Sequence, residues 1–268
     1  MLRFIAVVDI PIYDQNPLKR ELVDGISGTD GNIVEEAKPH GQVAGRMMAR
    51  RAAEREGRFD LAVHDRVDRA DGGARREVRG LVVDFDVHHG NGTQDIFYES
   101  PNVFYFSTHR YPFYPGSGHW RDIGMCAGTG YTMNVPLPHS VGDSMYARIF
   151  DDLLYPAAER YKPQLVLVSA GYDAHFLDPL GALMLLTSEG YGYMTRVLRS
   201  IAHDFADDRL VLLLEGGYHL EALAASATAT AHALLNEEDP PDPLGKPARP
   251  ERDIGDLVEH LRGVHRLV

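Results

Sequence analysis

Three ionisable residues at alternate positions follow an apolar run in the first third of the chain. Leu81–Val83 predict a buried strand, and Gly90 marks the loop in which it ends. Because alternate side chains of a strand share a face, Asp84, Asp86 and His88 are expected to project together. Two carboxylates and an imidazole are costly to bury side by side unless a cation lies between them. The spacing therefore predicts a metal site, with a structural loop cap as the alternative.

A second apolar run offers a third ligand. Leu165–Val168 predict another buried strand, which is followed by small residues and Asp173. In a parallel α/β sheet the carboxyl ends of the strands meet at one edge, so Asp173 is expected to reach Asp86 and His88. A mononuclear zinc site usually has three protein ligands and one open position. These three residues therefore predict a zinc site of two carboxylates and one imidazole.

A tyrosine after a third apolar run is the predicted catalytic residue. Leu210–Leu214 precede Gly216, Gly217 and Tyr218. Glycines permit a close turn of the backbone, which can aim the phenol toward the metal. A phenol placed there can donate a hydrogen bond to an oxyanion that develops on an acyl substrate. The alternative is a tyrosine that only packs under the start of a helix.

The span from about Arg79 to Leu235 resembles the zinc-dependent deacetylase family, which includes histone deacetylases, acetoin-utilisation proteins and acetylpolyamine amidohydrolases. The variants Asn91, Tyr114 and Glu215 are most similar to the class II and bacterial branch of that family. Five motifs in the family's order carry the resemblance, namely Asp84–Thr93, Phe106–His109, Tyr111–Gly118, Ser169–His175 and Leu214–Tyr218.

The resemblance implies a cofactor and a substrate class. Zinc would be bound by Asp86, His88 and Asp173, and Tyr218 would polarise the acetyl carbonyl. The substrate would be an acetylated lysine or a small acetylated amine. The family also binds a monovalent cation, usually potassium. The residues that the resemblance implies for it are Asp84, Asp86, His88, Ser107 and Thr108.

The resemblance also implies residues around the metal. Asp84 and Asn91 would orient a pair of catalytic histidines. Tyr114 would form an aromatic wall of the channel that holds the stem of the acylated amine. Gly216 and Gly217 would line the same channel.

The catalytic histidine pair of the family is missing at the expected place. Family members have an Arg-Pro-Pro-Gly-His-His-type motif before the first zinc ligand, whereas the corresponding region of this chain, Arg50–Arg55, has no histidine. The only adjacent histidines in the sequence are His88 and His89. They do not replace the missing pair, because members of the family also have a histidine at the position of His89. His40 and His64 lie in other contexts and are predicted to be surface residues. We therefore expect weak or absent catalysis in this chain.

Residues 1–78 also diverge from the family in composition. From Arg46 to Arg79 there are ten arginines and few large apolar residues. A divergent, truncated or frame-disturbed sequence would each produce this asymmetry with the richly patterned remainder. The arginine-rich run is predicted to be a solvated face rather than a nucleic-acid site, because the chain as a whole carries a net charge of −12.

The overall composition is that of a single enzyme domain. A chain of 268 residues is long enough for one α/β domain with a large core. Cys126 is the only cysteine, so no disulfide forms within the chain, and a cytoplasmic location is expected. No apolar run approaches the roughly 20 residues of a membrane span. The acidic charge argues against direct binding to nucleic acid or an anionic membrane, and nothing predicts an oligomeric state.

The pattern of elements predicts a doubly wound, mostly parallel three-layer α/β sandwich, which is the arginase/deacetylase fold by resemblance. We divide it into residues 1–78 (divergent), 79–235 (matching core), 236–252 (proline-rich connector) and 253–268 (a C-terminal helix). The predicted strands are Phe4–Val8, Gly80–Asp84, Val103–Ser107, Leu165–Ser169 and Leu210–Leu214. The predicted helices are Met145–Tyr161, Ser188–Phe205, Leu220–Leu235 and a C-terminal helix with the apolar stripe Ile254, Leu257, Val258 and Leu261.

Three functions from different classes fit these observations. The first is a zinc amidohydrolase that removes acetyl groups from acylated lysine or amines. The second is a zinc-binding but catalytically impaired relative, which acts at most as a binding module for acyl-amines. The third is a binuclear manganese ureohydrolase of the same fold, which would need further acids where this chain has Gly90 and Gly171. The third is therefore set aside.

Overall fold

Parallel strands form one sheet in the computed structural model, which describes residues 7–8, 78–181 and 183–267. The strands are β1 (Val7–Val8), β2 (Gly80–Asp84), β3 (Val103–Arg110), β4 (Thr132–Leu137), β5 (Leu165–Ala170) and β6 (Leu210–Leu214). Across the sheet their order is β1-β6-β5-β2-β3-β4, and every neighbouring pair is parallel. The predicted α/β class with a parallel sheet is confirmed.

Helices flank this sheet and fill the connections between its strands. They are α1 (Asn91–Phe97), α2 (Asp143–Ile149), α3 (Tyr155–Tyr161), α4 (Ser188–Phe205), α5 (Leu220–Leu235) and α6 (Gly255–His265). A short 3₁₀ turn spans Cys126–Gly128, and a π-helical turn, Phe150–Leu154, joins α2 to α3. Within the part of the chain that the structure describes, no helix is both long and apolar enough to cross a membrane.

Strand β2 lies in the middle of the sheet and is buried on both faces. All five of its residues are buried, from Gly80 to Asp84. This is the expected pattern for a central parallel strand, because helices cover both of its faces. An uninterrupted apolar run in the sequence therefore led to the correct strand.

The order of the strands creates a crevice at the carboxyl ends of β2 and β5. From β2 the chain proceeds to β3 and β4 on one side, and then returns to β5 and β6 on the other side of β2. Ligands of open α/β sheets bind where the strand order reverses in this way. Asp84, Asp86 and His88 lie at the end of β2, and Asp173 lies beyond the end of β5.

The predicted helix Met145–Tyr161 is interrupted by the π-helical turn between α2 and α3. Pro156 lies at the start of α3. A proline cannot donate a backbone hydrogen bond to the carbonyl four residues earlier, and its ring crowds that carbonyl. The preceding turn widens as a result, so the chain stays helical but changes its hydrogen-bond spacing.

Some strand predictions were incomplete. Strand β4 was not predicted, because its six residues include Pro136, which is typical of an edge strand and weakens the pattern. Strand β3 continues to Arg110, three residues beyond the predicted Ser107. Of the predicted strand Phe4–Val8, only Val7–Val8 is described, as a strand paired with β6; the rest lies outside the described residues.

The C-terminal helix α6 packs on the rest of the molecule through its apolar stripe. Val258 and Leu261 are fully buried within the main hydrophobic core. On its outer side the Glu259 carboxylate accepts a hydrogen bond of 3.1 Å from Arg148 of α2. The apolar spacing that predicted this helix also identified the face that is buried.

Candidate metal centre and its surroundings

Asp86, His88 and Asp173 converge at the crevice between β2 and β5. One possible ligand atom of each residue lies within 4.8 Å of the others. The His88 Nδ1 atom is 3.0 Å from Asp86 Oδ1 and 3.1 Å from Asp173 Oδ2. The structure therefore brings together the three residues that the sequence predicted as ligands.

Backbone amides hold the two carboxylates in place. The N–H of Val87 donates to Asp173 Oδ1 at 2.8 Å, and the N–H of His88 donates to Asp86 Oδ1 at 2.8 Å. The N–H of Gly216, after β6, donates to Asp86 Oδ2 at 3.2 Å. Three strand ends are thus fixed around one point, and the fully buried Asp173 Oδ2 faces His88 Nδ1 instead of a backbone N–H.

The electrostatics of this cluster favour a bound positive charge. Burial and the nearby charge of Asp86 raise the pKa of Asp173 to about 7. Burial lowers the pKa of His88, but hydrogen bonds with Asp173 and Asp86 outweigh this effect and raise the pKa to about 10. Two buried carboxylates that face one imidazole are stabilised by a positive charge. This charge is either a proton on the imidazole ring or a bound cation that replaces the proton.

The donor set and its spacing fit zinc. Zinc binds imidazole nitrogen and carboxylate oxygen at about 2.0–2.2 Å, so the ligand atoms of a tetrahedral site lie about 3.3 Å apart. The separations of 3.0 Å and 3.1 Å between His88 Nδ1 and the two carboxylates are close to that value. The backbone donor to Asp173 reaches Oδ1, so Oδ2 is the oxygen of this carboxylate that could act as a ligand.

Glycines at this edge leave no room for further side chains. A Cβ atom on Gly171 would lie 2.2 Å from Asp86 Oδ2, and one on Gly216 would lie 2.4 Å from Asp173 Oδ2. A Cβ atom on Gly90 would lie 2.3 Å from Asp84 Oδ2. The acids that a second metal would require at Gly90 and Gly171 are therefore absent, and larger side chains there would collide with the first site.

Tyr218 lies in the loop between β6 and α5, and its phenol is partly exposed. The side chain is 55% exposed. Burial of the remainder raises the pKa of Tyr218 to about 12, with added contributions from the charges of Asp173 and Asp86. The phenol therefore stays protonated at neutral pH as a hydrogen-bond donor, and it lies two residues beyond Gly216, whose N–H donates to Asp86.

Two aromatic residues of the loop after β3 lie against the candidate ligand His88. Phe113 stacks on the imidazole with ring centroids 5.4 Å apart, and Tyr114 meets it edge-on at 6.2 Å. Tyr114 is 71% exposed and lies at the outer side of this wall. The sequence pointed to Tyr114 as the channel wall but missed Phe113, its neighbour in the same motif, which makes the closer contact with His88.

Asp84 is buried directly behind the cluster. Its Oδ2 atom accepts a hydrogen bond of 3.0 Å from the Tyr105 hydroxyl, and its Oδ1 atom accepts one of 3.1 Å from the N–H of Asp86. Burial raises the pKa of Asp84 well above its usual value, and the negative charges of Glu215 and Asp86 raise it further. Asn91, by contrast, is exposed at the start of α1.

Of the residues implied for potassium, Asp84 lies on β2, Ser107 and Thr108 lie on β3, and Asp86 and His88 follow β2. Asp84 and Ser107 are partners in the register of these strands. The Thr108 hydroxyl is 3.5 Å from the backbone carbonyl oxygen of Asp84, whereas the Ser107 hydroxyl pairs with His109 Nδ1 at 2.9 Å. The group is adjacent to the metal cluster, but Ser107 has a different partner here.

The buried histidines His89 and His109 have hydrogen-bond partners outside the cluster. His89 bonds to the Ser117 hydroxyl at 2.8 Å and to Gln94 at 3.1 Å. The ring of His109 is held between Ser107 and the backbone carbonyl of Gly118. His40 and His64, predicted to be surface residues, lie outside the described residues.

Comparison with known proteins gives the following relatives. The histone deacetylase domain matches residues 69–234. The chain is 44% identical over 193 residues to "Histone deacetylase 10, chloroplastic" of Oryza sativa subsp. japonica. This alignment covers 69% of this chain and 43% of that protein. It is 45% identical over 143 residues to the "Probable deacetylase" of Archaeoglobus fulgidus, covering 53% of this chain and 40% of the relative. The chain thus spans less than half the length of either relative.

Solved structures show the same relationship. The structure of the histone deacetylase Clr3 matches with a TM-score of 0.63 at 35% identity, over 72% of this chain and 32% of that one. The crystal structure of the HDA15 HD domain matches with a TM-score of 0.58 at 37% identity, over 70% of this chain and 50% of that one. Both matches cover most of this chain.

Proposed function

The chain belongs to the histone deacetylase family, and we propose that it is a zinc-dependent amidohydrolase that removes acetyl groups from acylated lysine or amine substrates. The observation that carries this proposal is the convergence of Asp86, His88 and Asp173 at one sheet edge. Tyr218 follows Gly216, whose N–H donates to Asp86, by two residues, and Phe113 stacks on the candidate ligand His88. The three converging residues would bind a metal ion, Tyr218 would donate a hydrogen bond to an acyl oxygen, and Phe113 would contact the stem of an amine.

The zinc ion would be bound by the three converging residues. Zinc at this place would polarise an acyl carbonyl and lower the pKa of a water molecule toward neutrality. The backbone N–H groups of Val87, His88 and Gly216 would keep the carboxylates of Asp86 and Asp173 oriented toward it. Such outer hydrogen bonds set the direction of metal ligands.

Tyr218 would act as the hydrogen-bond donor to the acyl oxygen. Because its pKa is raised to about 12, the phenol keeps its proton at neutral pH and can donate it in a hydrogen bond. Negative charge grows on the acyl oxygen during attack at the carbonyl carbon, so a donor fixed there stabilises the transition state more than the ground state.

The substrate would be a cationic molecule with a slender acylated stem. The wall of Phe113 and Tyr114 offers an apolar, flat surface for a methylene chain. The chain carries a net charge of −12, which favours the approach of positively charged peptides or polyamines over nucleic acid. Both an acetyl-lysine peptide and an acetylpolyamine meet these conditions.

A catalytically impaired relative is the second candidate. In the described ranges, the buried His89 and His109 each have hydrogen-bond partners away from the metal cluster. The chain would then bind zinc and acyl-amines without a histidine to move the proton. Loss of a positioned general base lowers rates by about 10²–10⁴.

A potassium ion and a cytoplasmic location remain part of the proposal. The buried carboxylate of Asp84 and its backbone carbonyl oxygen, which is 3.5 Å from the Thr108 hydroxyl, are oxygens that such a cation could bind. The single cysteine, Cys126, is exposed and suits a reducing compartment. Measuring the dependence of turnover on potassium against sodium would test the first point.

The experiment that decides between the two candidates uses the zinc-loaded full chain. An amidohydrolase should release acetate from an acetyl-lysine peptide or an acetylpolyamine and should bind a hydroxamate, which chelates zinc. Hydroxamate binding without turnover would support the impaired relative. The absence of both in zinc-containing protein would contradict both candidates, because it would mean that the pocket beside the metal is not assembled.

A further inference from the structure

The side chain of Tyr218 has little support of its own. It is 55% exposed, and within the described part of the chain no hydrogen bond holds its hydroxyl. It follows Gly216 and Gly217, and Gly217 has a φ of 130°, a conformation that residues with side chains rarely adopt. A flexible pair of glycines therefore precedes a phenol that must be aimed with accuracy, so something else has to fix its backbone.

Asp178 supplies that contact from a different loop. Its Oδ2 atom accepts hydrogen bonds from the backbone N–H of Tyr218 at 2.6 Å and of His219 at 3.1 Å. These two residues directly precede helix α5, so the carboxylate also lies at the positive end of that helix. A charged acceptor makes shorter and stronger bonds to amides than a neutral one.

Asp178 is itself tied to the segment that carries the ligand Asp173. Its backbone N–H donates to the His175 carbonyl at 2.9 Å, and its Oδ1 atom accepts from the N–H of Leu180 at 2.8 Å. The turn then packs so tightly that a Cβ atom on Gly181 would lie 2.6 Å from the Asp173 carbonyl oxygen. One aspartate therefore connects the loop of a candidate metal ligand with the loop of the candidate donor.

We propose that Asp178 is a positioning residue, which fixes the backbone at Tyr218 and so sets the direction of its phenol relative to Asp86, His88 and Asp173. The inference rests on the proposed function, because it gives Tyr218 its role there. Asp178 itself does not touch the reacting atoms. Its carboxylate acts through the two backbone amides that it binds.

The test replaces Asp178 by asparagine in the full chain. Asparagine has nearly the same shape, but it loses the charge and turns one acceptor oxygen into an NH₂ group, which cannot accept from an amide. Asp242→Asn is the matched control, because the Asp242 carboxylate also accepts hydrogen bonds from two backbone N–H groups. These belong to Ser188, the first residue of α4, at 3.0 Å, and to Leu244 at 2.8 Å.

Two measurements separate positioning from a merely structural effect. Hydrogen exchange should show faster exchange of the amides of Tyr218 and His219 in Asp178→Asn only. The kcat should fall by roughly 10–100-fold, part of the loss for a missing oxyanion donor, while KM and zinc content stay nearly constant. In a Tyr218→Phe background the same Asp178→Asn change should lower kcat no further, because the phenol that it positions is already gone.

Several outcomes would overturn the inference. Equal losses of kcat with and without the Tyr218 hydroxyl would show that Asp178 does not act through it. Unchanged amide exchange would show that Asp178 does not hold this loop. A loss of zinc would show that Asp178 serves the metal site instead. If the wild-type chain turns over no substrate, the proposed catalytic function fails. The affinity for a hydroxamate is then the quantity to compare between the variants, in place of kcat. Asp178→Asn should then weaken binding only when the Tyr218 hydroxyl is present.

Discussion

At the scale of single residues, the candidate site combines rigid ligands with a less rigid donor. Asp173 is fully buried and Asp86 nearly so, and backbone amides hold both carboxylates. Tyr218 is half-exposed and depends on contacts of its backbone. Substitution of the tyrosine should therefore affect chemistry without affecting the metal.

Tyr218→Phe tests this separation. The variant removes the hydroxyl and keeps the ring, so zinc content should not change, whereas kcat should fall by roughly 10²–10³, the usual loss for one oxyanion donor. The measurement is steady-state deacetylation together with elemental analysis. An equal rate would remove Tyr218 from catalysis, and a loss of zinc would give it a structural role.

The sequence was sufficient to predict the candidate ligands but not the contact that positions the tyrosine. Asp86, His88 and Asp173 follow from residue type, alternation along a strand and the common edge of a parallel sheet. Asp178 binds backbone amides 40 and 41 residues further along the chain. Such a contact leaves no trace in residue types at its far end, because every non-proline residue offers the same N–H.

At the scale of elements, short elements without a periodic apolar pattern were harder to predict than the strands at the centre. Gly80–Asp84 and Leu210–Leu214 were predicted with their observed bounds, because a buried parallel strand is a continuous apolar run. The edge strand β4 contains Pro136, and α1 begins within the Gly-Asn-Gly loop. Both were missed, because neither carries a periodic apolar pattern.

The docking of α6 should contribute measurably to stability. Leu261 is fully buried, so Leu261→Ala should lower the free energy of unfolding by about 2–5 kcal/mol, through lost burial and the cavity left behind. Leu235→Ala is the matched control at the end of α5, where the side chain is 62% exposed, and it should change stability by less than about 0.5 kcal/mol. Urea unfolding of both variants gives the two changes in the free energy of unfolding. Equal changes would mean that α6 is not docked in solution.

At the scale of the whole molecule, three buried neutral histidines should each contribute stability that is lost in acid. Burial lowers the pKa of His265 to about 4, that of His175 to about 4 and that of His109 to about 3. The unfolded chain, with histidine pKa values near 6.5, binds protons that the folded chain does not. The stability that these three histidines contribute is therefore complete above about pH 6.5 and is lost as the pH falls toward 4.

His265→Asn should reduce this loss. Between pH 7 and pH 5 each such histidine should lower the free energy of unfolding by about 1–2 kcal/mol, so the change over this range should differ by about that amount between the wild type and His265→Asn. His139→Asn serves as the control, because His139 is exposed. Denaturant titrations of the three proteins at both pH values give the comparison. A pH dependence identical in wild type and His265→Asn would contradict a buried, neutral His265.

Zinc content is the most direct test of the central claim, that one zinc ion is bound by Asp86, His88 and Asp173. Elemental analysis of the purified wild-type chain should give close to one zinc per chain, as for a mononuclear site with three protein ligands. Asp173→Ala should lose most of it, whereas Asp178→Asn should retain it. Zinc retained by Asp173→Ala, or two manganese ions per wild-type chain, would contradict the assignment.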